Sequence, residues 1–209
     1  MKNILAFASG CALLAACATS SVTGERPKVS ERDLDQVTAV LKRDFRARGQ
    51  ATMDRVELDP VQRYCNLHAD NPPPAEARAM EAKLVSQIPF PSGPLLGDWK
   101  SGEKIAQSGR GAMWSDKAGA PAGGSCYNCH ELSPKTTSFG TIGPSLRGFG
   151  KIRGNAPEMQ RYVYGKIWNA KAYNLCTQMP RLGHSKTLTE QQIKDLVALL
   201  LDPASPVNQ

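Results

Sequence analysis

The sequence predicts an all-α protein. Apolar residues recur at helical spacing in several segments, as Leu34, Val37, Leu41 and Phe45 do near the start of the chain. The alternating pattern of a half-buried strand occurs nowhere in the chain, and we find no internal repeat. Hydrophobic residues make up 41% of the 209 residues, an ordinary fraction for a chain that folds around a core.

Three helices are predicted in the first half of the chain. The first begins after Ser30, a helix-capping residue, with Asp33 in its first turn. A short second helix starts at Asp59-Pro60, because proline suits the first helical turn. The third spans residues 77–88, which follow a triple proline and are rich in Ala, Glu, Lys and Leu.

Prolines and a glycine at 89–94 indicate a linker, so we predict an N-terminal helical extension at 18–94 and a second domain at 95–209. In that domain, helices are predicted at 98–107, with Trp99 and Ile105 facing inward, and from Asn155, with core contacts from Tyr162, Ile167 and Trp168. For the last helix, Thr187 and Glu190 form a predicted capping box, and Pro203 ends it. Its apolar face comprises Ile193, Leu196, Val197 and Leu200.

Residues 1–17 are typical of an export signal. Lys2 supplies a positive charge, and the apolar run at 4–16 is short for a membrane-spanning helix. The run ends in Leu14-Ala15-Ala16-Cys17, which resembles the lipobox of bacterial lipoproteins. Cleavage at a small-residue site such as Ala18 is the alternative. Both predict a periplasmic protein, and lipidation of Cys17 would anchor it to the membrane.

Cys126-Tyr127-Asn128-Cys129-His130 is the attachment pattern of a c-type haem. The two thiols bind the porphyrin edge covalently, and the adjacent imidazole of His130 coordinates the iron. A thioredoxin-like thiol pair is the first alternative, although the sequence shows no βαβ pattern around the motif. Half of a zinc site is the second, although structural zinc requires four ligands. One covalent haem c is the prediction.

Met179 is the predicted second axial ligand. It lies between two predicted helices and is followed by Pro180, and thioether sulfur is a known haem ligand. His184 is the main competitor, while Met159 falls within a helix and Met113 precedes the haem motif.

Cysteine counting leaves Cys65 and Cys176 as a pair once Cys11, Cys17 and the two haem cysteines are set aside. In an oxidising compartment such a pair favours a disulfide, with two separate thiols as the alternative.

Gly143-Pro144-Ser145-Leu146 resembles an element of class I cytochromes c, which implies a class I cytochrome c-like domain. By that resemblance the carbonyl of Pro144 accepts the Nδ1 proton of His130 and fixes the ring. More specifically, residues 95–204 resemble SoxX, the monohaem subunit of SoxAX cytochromes. The resemblance rests on Gly109-Arg110-Gly111, the haem motif with Gly124-Ser125, residues 140–146, residues 162–169 and Cys176-Thr177-Gln178-Met179-Pro180. The extension at 25–92 departs from a minimal SoxX domain.

The SoxX resemblance implies an electron-transfer subunit of an L-cysteine S-thiosulfotransferase. A SoxA partner would carry the catalytic haem and join thiosulfate to a cysteine of the carrier SoxYZ, and this chain would pass the electrons to a soluble cytochrome c. No catalytic residue is then expected here. The alternatives are a free-standing periplasmic monohaem carrier and, more remotely, a haem sensor.

The net charge of +7 favours an anionic or acidic partner, or is simply that of a solvated basic surface. Arg and Lys do not form a stripe with interleaved aromatics, so nucleic acid is not expected as a partner.

Overall fold

A computed structural model describes residues 29–209, and this part of the chain is helical. Its seven α-helices are α1 (Glu31–Asp44), α2 (Pro60–Leu67), α3 (Pro74–Ser86), α4 (Trp99–Gln107), α5 (Phe149–Arg153), α6 (Pro157–Trp168) and α7 (Glu190–Leu201). Within 29–209 no β-strand forms, apart from one isolated bridge between Arg48 and Ala51. The all-α prediction is confirmed. The predicted export signal and Cys17 lie outside the described residues.

Local capping explains where the first two helices begin. The Ser30 hydroxyl accepts the Asp33 N–H while the Asp33 carboxylate accepts the Ser30 N–H, which is a capping box. Asp59 caps α2 by accepting the N–H groups of Val61 and Gln62, both at 2.9 Å. Both starts agree with the predicted positions.

Two other helix starts differ from the prediction. Helix α3 begins at Pro74, three residues before the predicted start, because proline without an N–H fits the first turn. The capping box of α7 is formed by Thr189 and Gln192, so the prediction of Thr187 and Glu190 was wrong. Both pairs match the same pattern of Ser or Thr followed three residues later by Glu or Gln.

The central packing of the fold is the crossing of α4 and α7. Gly102 and Ala106 of α4 are buried against α7, and a Cβ built on Gly102 would lie 2.2 Å from the Asp195 carbonyl oxygen. The two backbones approach this closely only because position 102 lacks a side chain. Helix α7 is buried on nearly all sides, including Ile193, Leu196 and Val197, which agrees with its predicted apolar face.

Part of the N-terminal extension belongs to the same core. Ile88 is buried in the cluster that includes Val163, Tyr164 and Ile167 of α6. Phe90 packs against Tyr164 with the ring centroids 5.8 Å apart. The extension therefore packs against the predicted second domain.

Helix α1 is less buried than its pattern predicts. Leu34 is buried, but Val37 is 56% exposed, and Phe45, which follows the last residue of the helix, is 58% exposed. In α6, Tyr162 is also exposed, and the neighbouring Val163 and Tyr164 occupy the core instead. Within residues 29–209, no helix is both long and apolar enough to cross a membrane.

Candidate functional site

The predicted haem motif begins with a short 3₁₀ turn, Cys126–Asn128, which follows the loop after α4. Ser125 has a positive φ of 48° and its N–H donates to the Ser108 carbonyl at 2.9 Å, which turns the chain sharply into the motif. The N–H groups of Cys129 and His130 both donate to the Cys126 carbonyl, at 3.1 and 2.9 Å. The turn thus holds both cysteines and the histidine in one compact loop.

Residues 140–146 run beside this turn and are joined to it by backbone hydrogen bonds. Gly140 donates to Tyr127, Gly143 to Cys129 and Leu146 to Glu131, at 2.8–2.9 Å. This ladder of bonds places the Pro144 carbonyl next to the imidazole of His130, and the Nδ1–oxygen distance is 2.7 Å. The hydrogen bond that the cytochrome resemblance implies is present.

The bond to Pro144 decides which imidazole nitrogen is available for a metal. A carbonyl oxygen only accepts, so Nδ1 must carry the proton. In the neutral ring Nε2 is then the unprotonated nitrogen, which is the form that coordinates iron. The carbonyl thereby fixes both the tautomer and the direction of the ring.

Gly143 makes room for that ring. A Cβ at position 143 would lie 2.2 Å from Cε1 and 2.5 Å from Nδ1 of His130, so the backbone of Gly143 lies directly against the imidazole. The neighbouring Ile142 is 85% exposed and provides an apolar surface beside His130. A porphyrin has a large apolar face, and burying apolar surface is favourable.

Cys126 and Cys129 are free thiols, as haem attachment requires. Burial raises the pKa of the Cys126 thiol to about 11. A redox-active Cys-x-x-Cys pair needs a thiolate stabilised at low pKa, so this environment does not favour a thioredoxin-like pair.

Within 29–209, the motif cysteines and histidine do not form a group whose ligand atoms converge on one point. The group that does converge comprises Cys65, Asp70 and Cys176, where the two sulfurs are bonded to each other. Sulfurs bonded to each other cannot ligate zinc as thiolates, and the motif offers three residues whose ligand atoms do not converge, so neither place favours a four-ligand zinc site. The residues at 126–130 and 143–144 fit a covalently attached haem better than either alternative.

Met179 lies in the segment between α6 and α7, as the sequence predicts, and it is half-buried there. Its N–H donates to Thr177 Oγ1 at 3.2 Å. Three residues later, Leu182 lies beside Gly124, where a Cβ would be 3.5 Å from Leu182 Cδ1 and 3.1 Å from the Cys126 sulfur. The segment with Met179 therefore passes beside the haem motif.

The other candidate ligands are placed differently. Met159 lies in the first turn of α6, and Met113 is half exposed in the loop after α4. His184 is exposed, and burial of part of the ring together with the nearby Arg181 lowers its pKa. Its backbone N–H donates to the Trp168 carbonyl at 3.0 Å.

Cys65 and Cys176 form a disulfide with a Cα–Cα distance of 5.4 Å. Cys65 lies on α2 and Cys176 lies three residues before Met179, so the bond joins the extension to the Met179 segment. Two further contacts nearby have no local sequence signal. The Arg181 guanidinium binds the Asp59 carboxylate, and the Leu175 N–H donates to Glu81 Oε1 at 2.8 Å.

Comparison with known proteins gives limited similarity. No family model matches the chain. Over 130 residues the chain is 38% identical to a protein of Aquifex aeolicus (strain VF5) named "Uncharacterized lipoprotein", and the match covers 61% of each of the two proteins. The crystal structure of SoxXA from P. pantotrophus matches 51% of this chain and 82% of that chain at 26% identity, with a TM-score of 0.37. A TM-score of that size does not by itself establish a shared fold.

Proposed function

We propose that this chain is an exported monohaem c-type cytochrome that transfers electrons. The main support is the 2.7 Å hydrogen bond between His130 Nδ1 and the Pro144 carbonyl, next to two free thiols on one turn. Bound haem supplies one-electron chemistry at its iron. Cys126 and Cys129 would attach the group, and His130 and Met179 would bind its iron, a ligand pair that gives a higher reduction potential than two histidines.

The protein's own residues would set the properties of that site. The Pro144 carbonyl would make the His130 imidazole a more basic ligand by accepting a hydrogen bond from its Nδ1–H. Gly143 lets the backbone lie directly against the ring, where a side chain would clash with it. The core below the motif, formed by α4, α6 and α7, holds the turn rigidly.

Within that class, the proposed role is the SoxX-type subunit of an L-cysteine S-thiosulfotransferase. The motifs at 109–111, 124–130, 140–146, 162–169 and 176–180 support it. A SoxA-type subunit would carry the catalytic haem and bind SoxYZ, and this chain would pass electrons to a soluble cytochrome c. The backbone hydrogen bonds that join residues 140–146 to the turn at 126–130 link two of these motifs, which supports the proposal.

The proposed location is the periplasm, with Cys17 lipidated. The lipobox-like residues 14–17 support this, as does the name of the Aquifex aeolicus relative. Mass spectrometry of the mature chain from its native membrane fraction tests it. Acyl groups on an N-terminal Cys17 are expected, and a free N-terminus beyond residue 17 would contradict the proposal.

Haem attachment is tested by expressing the full chain with periplasmic haem-ligation machinery. We expect a coloured protein whose mass exceeds that of the polypeptide by one haem. Cys126→Ala with Cys129→Ala should remove the covalent mass, while a Cys65→Ala, Cys176→Ala variant should keep it. A colourless wild-type chain would overturn the cytochrome proposal.

The partner is tested by purifying the complex from the native host and identifying its chains. A second haem protein that is required for thiosulfate-oxidising activity is the expected result. A monomer on a sizing column that exchanges electrons with a soluble cytochrome c, with no associated haem chain, would instead support the free-standing carrier.

A further inference from the structure

We propose that Asp59 and Glu81 of the N-terminal extension are positioning residues for Met179, and that α2 and α3 hold the axial-ligand segment in place. This inference rests on the proposed ligation of haem iron by Met179. It assigns a role to the extension, which a minimal domain of the resembled family lacks.

The extension contacts the segment on both sides of Met179. Before it, the Leu175 N–H donates to Glu81 Oε1 at 2.8 Å, and Cys176 is bonded to Cys65. After it, the Arg181 guanidinium binds the Asp59 carboxylate. The seven residues from 175 to 181 are therefore attached to α3, to α2 and to the first residue before α2.

Contacts within the second domain also hold the two ends of this segment. Met179, at its centre, is held by a bond to a residue of the same segment. The Lys171 ammonium donates to the carbonyls of Leu175 and Thr177, at 3.2 and 3.1 Å. Beyond Met179, the Gly183 N–H donates to the Trp168 carbonyl at 3.2 Å. The N–H of Met179 itself bonds to Thr177 of its own segment, so its position follows that of the flanking anchors.

The two acidic residues are suited to this role by their surroundings. The Arg181 and Asp59 side chains are 15% and 28% exposed, so solvent screens their ion pair less than a surface pair. Asp59 Oδ1 caps α2 while Oδ2 binds Arg181, so one carboxylate connects the start of the helix to the segment. The Leu175 side chain is 2% exposed, and Glu81 satisfies its buried N–H.

Groups that orient a metal ligand act on its affinity for the metal, and their loss typically weakens binding about 10- to 100-fold. Loosening the segment should therefore let an added ligand compete with the thioether sulfur. A purely structural role would lower stability without changing that competition. The competition is thus the quantity to measure.

The experiment uses the haem-loaded full chain and measures the apparent affinity of the oxidised protein for imidazole. Asp59→Asn keeps an oxygen for the helix cap but loses the charge that binds Arg181. Glu81→Ala removes the acceptor for the Leu175 N–H, and Glu81→Gln keeps one. Glu57→Gln is the control, since Glu57 is an acidic residue of the extension in an exposed ion pair with Lys42.

Asp59→Asn and Glu81→Ala are expected to bind imidazole about tenfold more tightly than wild type or more, while Glu81→Gln and Glu57→Gln stay near wild type. Wild-type imidazole affinity in Glu81→Ala, even with a lower unfolding midpoint, would overturn the positioning role. If Asp59→Asn does not fold, the imidazole affinities of Glu81→Ala and Glu81→Gln still test the positioning role. Met179→Ala separates the two proposals: it should bind imidazole most tightly, and unchanged affinity there would refute Met179 ligation itself and the positioning role with it.

Discussion

At the residue scale, the position of the His130 ring depends on an absent side chain and on one carbonyl. Gly143 lies against the imidazole, and its chain neighbour Pro144 accepts the Nδ1 proton. Because both contacts come from one backbone segment, a change at position 143 moves the acceptor and the ring together.

Gly143→Ala is expected to disturb the proximal histidine. Its Cβ would lie within 2.7 Å of three ring atoms, so the ring or the backbone must shift, and overpacking of this kind costs about 1–3 kcal/mol. We expect a lower yield of covalent haem and a shifted reduction potential. Gly93→Ala is the control, because a Cβ there meets no atom within 4 Å. Equal haem yield and potential in both variants would contradict the role assigned to Gly143.

At the scale of single elements, the cap of α2 is also an ion pair with a pH dependence. Burial alone would raise the pKa of Asp59, but the hydrogen bonds from the Gln62 and Val61 backbone and the Arg181 guanidinium outweigh it and lower the pKa. A carboxylate with a lowered pKa in the folded state stabilises the fold above its ordinary pKa near 4. That contribution is lost as the pH falls through the folded-state value.

Asp59→Asn should therefore cost stability at neutral pH and little in strong acid. A hydrogen bond to a charged group is worth about 1.5–3 kcal/mol, which sets the expected difference in unfolding free energy at pH 7. The difference should shrink below about pH 4. Denaturant unfolding of both proteins from pH 7 to pH 2.5 measures it, with Glu57→Gln as the control. A difference that is independent of pH would show that the Asp59 charge is not responsible.

The crossing of α4 and α7 gives a second prediction for an element. Gly102→Ala would place a Cβ 2.2 Å from a backbone oxygen of α7, and a backbone atom has no free rotation to relieve the clash. We expect a loss of about 2–3 kcal/mol in unfolding free energy. Lys104→Ala, on the exposed side of α4, should change it by less than about 0.5 kcal/mol. Equal stability of the two variants would contradict this prediction, because it would mean that α4 and α7 can move apart without loss of unfolding free energy.

Helix starts could be predicted from the sequence where they depend on neighbouring residues. Ser30 with Asp33 and Asp59 with Pro60 predicted helix starts correctly, because capping involves residues within one turn. The predicted start of α7 was two residues too early, because Thr187 with Glu190 matches the same capping pattern as Thr189 with Gln192. Helix α5 was not predicted, since it has five residues and lies between Gly148 and Gly154.

At the scale of the whole molecule, the contacts missed by the sequence are long-range. Asp59 and Arg181 are 122 residues apart, and Glu81 and Leu175 are 94 apart. Neither pair has a pattern that distinguishes it from other charged or apolar residues. The exposure of Val37 and Phe45 likewise depends on which neighbours α1 meets, and helical spacing alone does not specify those neighbours. The proposed haem motif has a local sequence signature, because covalent attachment of haem requires a fixed spacing of the two cysteines and the histidine.

The Cys65–Cys176 disulfide is a covalent connection between distant parts of the chain and should stabilise the whole protein. It spans 111 residues, and in the chain-entropy model a loop of that length contributes about 4–5 kcal/mol by restricting the unfolded chain. Native-state strain reduces such gains, so Cys65→Ala with Cys176→Ala should lower the unfolding free energy of the haem-loaded chain by about 2–5 kcal/mol. Denaturant unfolding with and without reductant measures the effect.

Reductant provides the internal control for that measurement. With the haem iron kept ferrous in every sample, it should destabilise the wild type toward the double variant and leave the double variant unchanged, because thioether bonds to haem are not reducible in the way a disulfide is. A reductant effect of similar size in both proteins would place its origin elsewhere. If the double variant is as stable as wild type, the disulfide adds no net stability, and Asp59 and Glu81 are then expected to be sufficient to hold the Met179 segment against the extension. The Asp59→Asn change should then cost more in the double variant than in the wild type, since contacts that share one segment are not additive.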